Sequence, residues 1–168
     1  MPVLTANQSL NIIIISAFLC LASLGSHASE IGQKDIYSIT KITDGDSLRA
    51  GDVRIRLHGI DAPEMRQFCT KQEPYPCGKQ AHGFLADMLG HDAEVVCEHL
   101  DTDRYGRFVM RCYHRGFDIG AAMVRSGWAL AYRRYAGDYI ADETDAKMNK
   151  RGMWAGSFET PEAWRRAN

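Results

Sequence analysis

Residues 56–64, with the sequence RLHGIDAPE, carry one arginine and two carboxylates within a short stretch. Hydrophobic and polar residues alternate before it, so Arg56 is expected on the polar face of a half-buried strand. Pro63 lacks an N–H and keeps the preceding residue extended, which predicts a rigid, non-helical turn from Asp61 to Glu64. Such a turn can direct both carboxylates to one point, where they could bind a hard cation or accept a proton. The alternative is a strand end with solvated charges.

A third carboxylate, Asp46, is expected to join this group through the fold. Residues 36–42 are rich in β-branched and aromatic side chains and predict a strand. Gly51 and Asp52 fit a two-residue hairpin turn between the second and third strands. Asp46 at the start of the second strand could therefore lie beside Asp61 at the end of the third.

Periodicity predicts a helix and a second hairpin in the middle of the chain. Apolar residues recur at helical spacing from Ala81 to Leu89, and Gly90 is expected to end this helix. Residues 94–100 and 108–114 read as two strands of a hairpin.

Two further helices are expected toward the C-terminus. The second helix should begin at an Asp118 cap and stop at Gly127, and residues 129–132 fit a short extended segment. The third should be capped by Asp138 and terminated by Gly152.

Five strands, interrupted by a helix after the third and followed by helices, predict an α+β fold that is mainly β. The specific expectation is a five-stranded Greek-key barrel of the OB-fold type with about three helices. An α+β open-sheet domain is the alternative that the pattern leaves.

The composition is that of an ordinary globular protein: 168 residues, 45% hydrophobic and 24% charged. This length predicts one domain. The formal net charge of −1 gives no basic field over the whole chain, so binding of nucleic acid would require a local patch.

The first 28 residues read as a secretory signal peptide. Residues 1–29 contain no Asp, Glu, Lys or Arg, residues 10–24 are nearly all apolar, and Ser26 and Ala28 are small residues suited to a cleavage site. A transmembrane anchor is the alternative, but the apolar run falls short of the roughly 18 to 20 residues needed to span a bilayer. We expect a mature domain over residues 29–168, located outside the cytoplasm, either periplasmic or secreted.

The cysteines predict two disulfides. Cleavage would remove Cys20 and leave an even number of cysteines in an exported domain. Cys97 and Cys112 are equidistant from the turn of the second hairpin, so they should face each other at a Cα separation of about 4.5 to 5.5 Å. Cys69 and Cys77 form the remaining pair. Four buried thiols are the alternative, and a zinc site is disfavoured because no C-x2-C spacing occurs.

Three motifs in order resemble the staphylococcal nuclease-like (thermonuclease) family. They are DGDS at residues 44–47, RLHGIDAPE at 56–64 and DRYGR at 103–107. The similarity covers about residues 36–154, and three motifs in register are far more specific than one.

The resemblance implies a calcium-dependent phosphodiesterase, acting as an endonuclease or exonuclease on DNA and RNA and leaving 3′-phosphate ends. Many members of the family have Thr at the position of Ala62. The implied metal ligand at this position is the backbone carbonyl, which Ala also provides. The implied roles are Ca²⁺ binding by the carboxylates of Asp46 and Asp61 and the carbonyl of Ala62, general base catalysis by Glu64, and phosphate binding by Arg56 and Arg107. The chemistry of the Glu64 side chain leaves two alternatives, removal of a proton from water or orientation of that water.

Substrate contacts are expected from Arg104, Tyr105 and Tyr132, although core packing is the alternative for the tyrosines. Arg133 and Arg134 could follow a nucleic-acid backbone or be solvated. Arg165 and Arg166 have the same two alternatives, and solvation is the expectation for them. Asp44 and Asp103 are expected as turn residues, and the histidines show no paired metal-binding spacing.

The expected partners are DNA and RNA as substrates, with no lasting membrane association after signal cleavage and a monomeric state. Two other classes of protein remain as alternatives. One is a catalytically inactive OB-fold module that binds nucleic acid, which should have lost the Arg56, Glu64 and Arg107 set. The other is an extracellular structural or adhesion domain, which would leave the acidic pair unexplained.

Overall fold

The computed structural model of the protein describes residues 31–168. The signal peptide predicted for residues 1–28 lies outside the described residues. Within the described part, none of the helices has the length and apolar character required to cross a membrane.

Strands dominate residues 31–168, together with four α-helices and one 3-10 helix. The strands are β1 (Lys34–Ser38), β2 (Lys41–Ile42), β3 (Ser47–Ala50), β4 (Val53–Leu57), β5 (Ile60–Asp61), β6 (Cys69–Thr70), β7 (Pro74–Tyr75), β8 (Glu94–Thr102), β9 (Phe108–His114), β10 (Phe117–Asp118) and β11 (Leu130–Ala131). The α-helices are α1 (Cys77–Leu89), α2 (Ile119–Arg125), α3 (Ile140–Met148) and α4 (Pro161–Ala167), and the 3-10 helix is Gly152–Ala155.

One main sheet holds the predicted five principal strands. Its order is β1-β8-β9-β4-β3-β2, with β10 paired to β9. The two ends of this order, β1 and β2, are consecutive segments of one bent strand. Between them Ile39 N–H donates to Ala93 and Thr40 N–H donates to Arg49, each at 2.8 Å. A single strand thus passes from one edge of the sheet to the other, and the domain is mixed and mainly β, as predicted.

The pairing of β4 with β9 is parallel, whereas the other described pairings in this sheet are antiparallel. Ile55 lies opposite Phe108, and Arg56 lies opposite Val109. Because parallel neighbours start at the same edge, the turn at residues 103–107 lies next to the strand that carries Arg56.

The main core lies between this sheet and helices α1 and α2. Ile55, Leu57 and Met110 face inward at alternate positions of β4 and β9, and Leu85 of α1 and Met123 of α2 pack against them. The burial of these side chains fixes which face of β4 contacts the core, because a register shift of one residue would exchange its apolar and polar faces. Arg56 is therefore held on the face opposite the core, as expected.

Both predicted disulfides are confirmed. Cys97 lies directly opposite Cys112 in the β8–β9 hairpin, with a Cα separation of 4.1 Å. Cys69 is joined to Cys77 with a Cα separation of 5.6 Å. The second bridge connects the β6–β7 hairpin to the start of α1.

A second, smaller core surrounds the Cys69–Cys77 bridge. These cysteines are buried with Met153, and Trp128 and Phe158 pack against them. The backbones at residues 70 and 157 also exchange two hydrogen bonds of 2.8 and 2.9 Å. The segment before α4 is thereby attached to the disulfide loop.

The helical predictions were partly wrong near the C-terminus. Asp118 caps α2 as predicted, accepting a hydrogen bond from Ala121 N–H. Asp138 does not cap α3, because Tyr139 occupies that position and the Asp138 carboxylate instead binds Arg111 at 2.6 Å. Helix α3 ends at Met148, before the predicted terminator, Gly152, which instead begins the 3-10 helix.

Helix α4 was not predicted, although its start carries a recognisable signal. Thr160 accepts a hydrogen bond from Ala163 N–H, and Pro161 occupies the first turn. Both are favoured at helix N-termini.

Candidate active site

Arg56 joins the two buried aspartates at the centre of the site. Its Nη1 pairs with Asp46 Oδ2, and its Nη2 lies 3.3 Å from Asp61 Oδ1. Nη2 also donates to the Ile60 carbonyl at 3.1 Å. The structure therefore brings Asp46 beside Asp61, as the meander of three strands predicted.

Local hydrogen bonds fix the carboxylate of Asp46. Its Oδ2 accepts from Ala62 N–H at 2.9 Å, and its Oδ1 accepts from the Ser47 hydroxyl at 3.0 Å. The chain beside Asp46 can come this close to Ala62 because residue 45 is glycine. A Cβ at Gly45 would lie 2.7 Å from the Cβ of Ala62. Asp44 accepts a hydrogen bond from Asp46 N–H, which confirms its expected role as a turn residue.

Negative charge accumulates around Asp46. Burial opposes its ionisation, but the charge and hydrogen bond of Arg56, together with the Ala62 N–H, outweigh burial and lower the pKa of Asp46. Burial and the charge of Asp46 raise the pKa of Asp61 to about 6. The same two causes raise the pKa of Asp44 to about 7. Additional positive charge at this point would therefore stabilise the ionised carboxylates.

Arg165 of α4 supplies such a charge, although we expected it to be solvated. Its Nη1 lies 2.9 Å from Glu64 Oε1, and its Nη2 lies 3.0 Å from both carboxylate oxygens of Asp61. That expectation was wrong because the C-terminal segment folds back over the turn that contains Glu64. Arg166, on the next position of α4, is 73% exposed in its side chain, as expected.

Gln67 connects the Glu64 turn to the segment before α4. Its fully buried side chain accepts a hydrogen bond from Glu64 N–H at 3.2 Å and donates one to the Glu159 carbonyl at 2.7 Å. Nothing in the sequence distinguishes this glutamine from a surface residue, so sequence reasoning missed it.

Arg107 is linked to Asp46 through the Ser47 hydroxyl. Its Nε donates to Asp103 Oδ2 at 2.8 Å, and its Nη1 donates to the Ser47 hydroxyl at 3.4 Å. Because Ser47 in turn donates to Asp46, one hydroxyl links the two charged groups. The structure thus brings three guanidinium groups to the acidic cluster, those of Arg56, Arg107 and Arg165.

Residues 54–156 match the family model described as Staphylococcal nuclease homologue. This match spans more than half of the chain. The chain belongs to the staphylococcal nuclease homologue family. The matched segment contains the second and third sequence motifs, with Arg56, Asp61, Glu64 and Arg107, whereas the first motif at residues 44–47 precedes it. The family predicted from the motifs is confirmed.

Individual relatives agree with this family. The chain is 31% identical over 145 residues to the succinoglycan biosynthesis protein ExoI of Rhizobium meliloti (strain 1021), over 84% of this chain and 73% of that protein. It is 28% identical over 162 residues to an uncharacterized endonuclease of Haemophilus influenzae, over 92% of this chain and 85% of the relative. It is 32% identical over 133 residues to the probable staphylococcal-like nuclease CAN3 of Oryza sativa subsp. japonica, over 77% of this chain but only 33% of the rice protein. This chain thus spans about a third of the length of the rice relative. The family to which the chain belongs is one of nucleases.

Two of the three expected substrate contacts of this staphylococcal nuclease homologue lie on the turn of Arg107, and the third, Tyr132, directly follows β11, which pairs with the strand of Asp61. Arg104 and Tyr105 share the turn of Arg107, and Arg104 Nη2 donates to the Tyr105 hydroxyl at 2.7 Å. Tyr105 is exposed, so it is not a core residue. Burial and the charge of Asp61 raise the pKa of Tyr132.

Arg133 and Arg134, which follow Tyr132, differ in their contacts. Arg133 pairs with Glu143 at 2.7 Å, so its charge is already compensated. Arg134 is exposed.

Nucleases of this family generally depend on a metal ion. Within residues 31–168, no three His, Cys, Asp or Glu side chains are already arranged as a metal-binding group. The donor chemistry nevertheless fits a hard cation, because the carboxylates of Asp46 and Asp61 are adjacent, buried and rich in negative charge. The guanidinium of Arg165 takes the place of a cation at Asp61 and Glu64. The donor set of the residues present therefore suits a divalent ion.

Proposed function

We propose that this protein is an exported, Ca²⁺-dependent nuclease that hydrolyses phosphodiester bonds in DNA and RNA and leaves 3′-phosphate ends. One observation carries the proposal: Arg56 binds Asp46 and Asp61 together, while Glu64 shares Arg165 with the same Asp61. Asp46 and Asp61, the expected metal-binding carboxylates, thus share Arg56, and Asp61 in turn shares Arg165 with Glu64, the expected base.

Hydrolysis of a phosphodiester has to overcome repulsion between the nucleophile and an anionic substrate. It must also stabilise the charge that develops on the phosphate oxygens. Arg56 and Arg107 are assigned to this task, since their planar groups can bind two oxygens each and carry charge at all relevant pH values. Each could contribute about 3 kcal/mol to transition-state stabilisation.

Glu64 is assigned to take the proton of the attacking water. Its side chain is 32% exposed, so water can reach it, and the Gln67 side chain fixes its backbone. As the proton moves to a carboxylate oxygen of Glu64, the water oxygen bonds to phosphorus and the bond from phosphorus to the 5′-oxygen breaks. The phosphate then remains on the 3′-oxygen, and solvent protonates the 5′-oxygen.

The carboxylates of Asp46 and Asp61 and the carbonyl of Ala62 are assigned to hold Ca²⁺. When bound, Ca²⁺ supplies positive charge beside the scissile phosphate. Two carboxylates and one carbonyl are a small ligand set, so we expect a dissociation constant on the order of 10⁻⁴ to 10⁻³ M without substrate.

Arg104, Tyr105 and Tyr132 are proposed to contact the nucleic acid beside the reacting phosphate. Tyr105 is exposed near Arg107, where its ring could stack on a base. Export from the cytoplasm is supported by two disulfides, which persist in oxidising compartments, and by the N-terminal sequence. The monomeric state and the absence of lasting membrane association remain predictions.

The proposal is tested by incubating the purified, oxidised protein with end-labelled single-stranded DNA and RNA, with Ca²⁺ or with a chelator. We expect cleavage of both substrates with Ca²⁺, loss of cleavage with the chelator, and fragments whose mobility changes after removal of a 3′-phosphate. Binding of DNA without cleavage under both conditions would instead support the inactive binding module.

A further inference from the structure

We propose that Arg165 is an internal counter-cation that competes with Ca²⁺ for the carboxylates of the site and thereby sets the metal affinity. This inference rests on the proposed function, because it concerns the ligands assigned there. It assigns a role to a residue outside the three motifs and outside the matched segment, residues 54–156.

The contacts of Asp61 carry the argument. Both of its carboxylate oxygens lie 3.0 Å from Arg165 Nη2, and Oδ1 is also 3.3 Å from Arg56. The Asp61 side chain is only 4% exposed. A cation that approaches Asp61 therefore meets positions that two guanidinium groups already hold.

Arg165 and a divalent cation compete for these oxygens. Each carboxylate oxygen keeps a second lone pair, but two cations bound to the same carboxylate repel each other strongly in a partly buried site. Metal binding then requires the protein to populate the state in which Arg165 has left. The apparent dissociation constant is raised by the inverse of the fraction of molecules in that state.

Arg165, and not Arg56, is the group able to leave. The Arg56 side chain is 14% exposed and also donates to the Ile60 carbonyl, so it is part of the buried structure. The Arg165 side chain is 37% exposed and projects from a short helix on the surface. A change of side-chain rotamer suffices for its release, because the Gln67 to Glu159 hydrogen bond still anchors the segment before α4.

The test compares Ca²⁺ binding by the wild type, Arg165→Gln and Arg166→Gln, measured by calorimetry without nucleic acid. Arg166→Gln is a matched control, since it removes the same charge from the same helix at a side chain whose partner is Glu162, at 3.7 Å. If Arg165 occupies the carboxylates in about four-fifths of the molecules, Arg165→Gln should bind Ca²⁺ about five-fold more tightly. Arg166→Gln should match the wild type within about two-fold, since exposed charges are screened.

Unchanged or weaker Ca²⁺ binding by Arg165→Gln would overturn the inference. Equal tightening in both variants would also overturn it, because the effect would then be one of general charge. As a direct readout, the guanidinium NMR signals of Arg165 should show restricted rotation in chelator and free rotation with Ca²⁺. If the wild type cleaves DNA and binds Ca²⁺ but Arg165→Gln gains no affinity, only this inference fails. If no variant cleaves DNA or binds Ca²⁺, the proposed function fails.

Discussion

Arg107 is held by Asp103 through a hydrogen bond of 2.8 Å from its Nε to the Oδ2 of the carboxylate. The other oxygen of Asp103 accepts the backbone N–H groups of Tyr105 and Arg107 at 2.9 and 3.0 Å. One carboxylate therefore shapes the turn and directs the guanidinium toward Ser47. Asp103 is a turn residue, as expected, and it also positions a residue that we assign to phosphate binding.

Asp103→Asn should lower kcat/KM on single-stranded DNA by about ten-fold, because a displacement of roughly 1 Å at a reacting group can reduce rates by up to 10². The amide oxygen can still accept the backbone N–H groups, whereas its NH₂ cannot accept from Arg107 Nε. Asp52→Asn, in the exposed β3–β4 turn, is the charge-matched control. Equal kcat/KM values for the two variants would show that Asp103 has no positioning role.

Glu64→Gln should reduce kcat by about 10² to 10⁴ while KM changes little, since the amide cannot take a proton. Its oxygen can still accept from Arg165, so folding should be retained. Single-turnover kinetics with saturating protein measure the chemical step directly. Glu73→Gln, at an exposed position between β6 and β7, should behave as the wild type. Near-normal turnover by Glu64→Gln would remove Glu64 from the mechanism.

Without metal, the free energy of unfolding should fall as the pH rises from about 5 to about 7. Burial and the charge of Asp46 raise the pKa values of Asp44 to about 7 and of Asp61 to about 6, against an ordinary value of 3.8. The folded protein then keeps protons that the unfolded chain has lost, so ionisation at higher pH costs stability. Asp46, Asp103 and Glu143, whose pKa values are lowered, act in the opposite direction, but only near and below their ordinary values of 3.8 and 4.5, so the fall in stability is expected above about pH 5.

The contribution of Asp44 to this pH dependence of stability can be isolated with the variant Asp44→Asn. Its free energy of unfolding is measured with denaturant, in the presence of chelator, at several pH values. The stability of this variant relative to the wild type should increase as the pH rises through the same range. Stability curves that run parallel for the two proteins would contradict the raised pKa of Asp44.

Removal of either disulfide should cost about 2 to 3 kcal/mol of stability, given the loops of 8 and 15 residues that they close. Only the Cys69→Ser, Cys77→Ser double variant should also loosen the segment before α4. Hydrogen exchange at the paired amides of Thr70 and Ser157 should accelerate in this variant and not in the matched variant of the other bridge. Equal exchange rates in both variants would mean that the second core does not depend on this bridge.

The fold was largely predictable because its main signals are local. Alternation along β4, the turn at Gly51 and Asp52, and the Asp118 cap each act within a few residues, and the structure bears them out. The symmetry of Cys97 and Cys112 about one turn similarly predicted their pairing.

The errors in the predicted fold have two causes, a contact between distant residues and the shortness of one helix. Asp138 has the side chain of a helix cap, but Arg111 on β9 binds it instead. Helix α4 has seven residues, too few to show helical periodicity, so only Thr160 and Pro161 indicated it.

The candidate site was predictable where its residues belong to motifs and unpredictable where they do not. Arg56, Asp61 and Glu64 lie within nine residues of one another, so one turn brings them together. Arg165 is 101 positions from Glu64, and no pattern in the sequence relates the two. The role of Gln67 was unpredictable for the same reason, since it depends on a hydrogen bond to the distant backbone carbonyl of Glu159.

The parallel pairing of β4 with β9 restricts where this protein tolerates extra residues. Because the Cys97–Cys112 bridge and the pairing with β8 also fix β9, an insertion at residues 103–107 would lengthen the turn that Asp103 shapes and withdraw Arg107 from Ser47. Residues 71–73 are exposed at the tip of the β6–β7 hairpin, away from this register. Fluorescent labels, affinity tags or grafted peptides therefore belong at that tip.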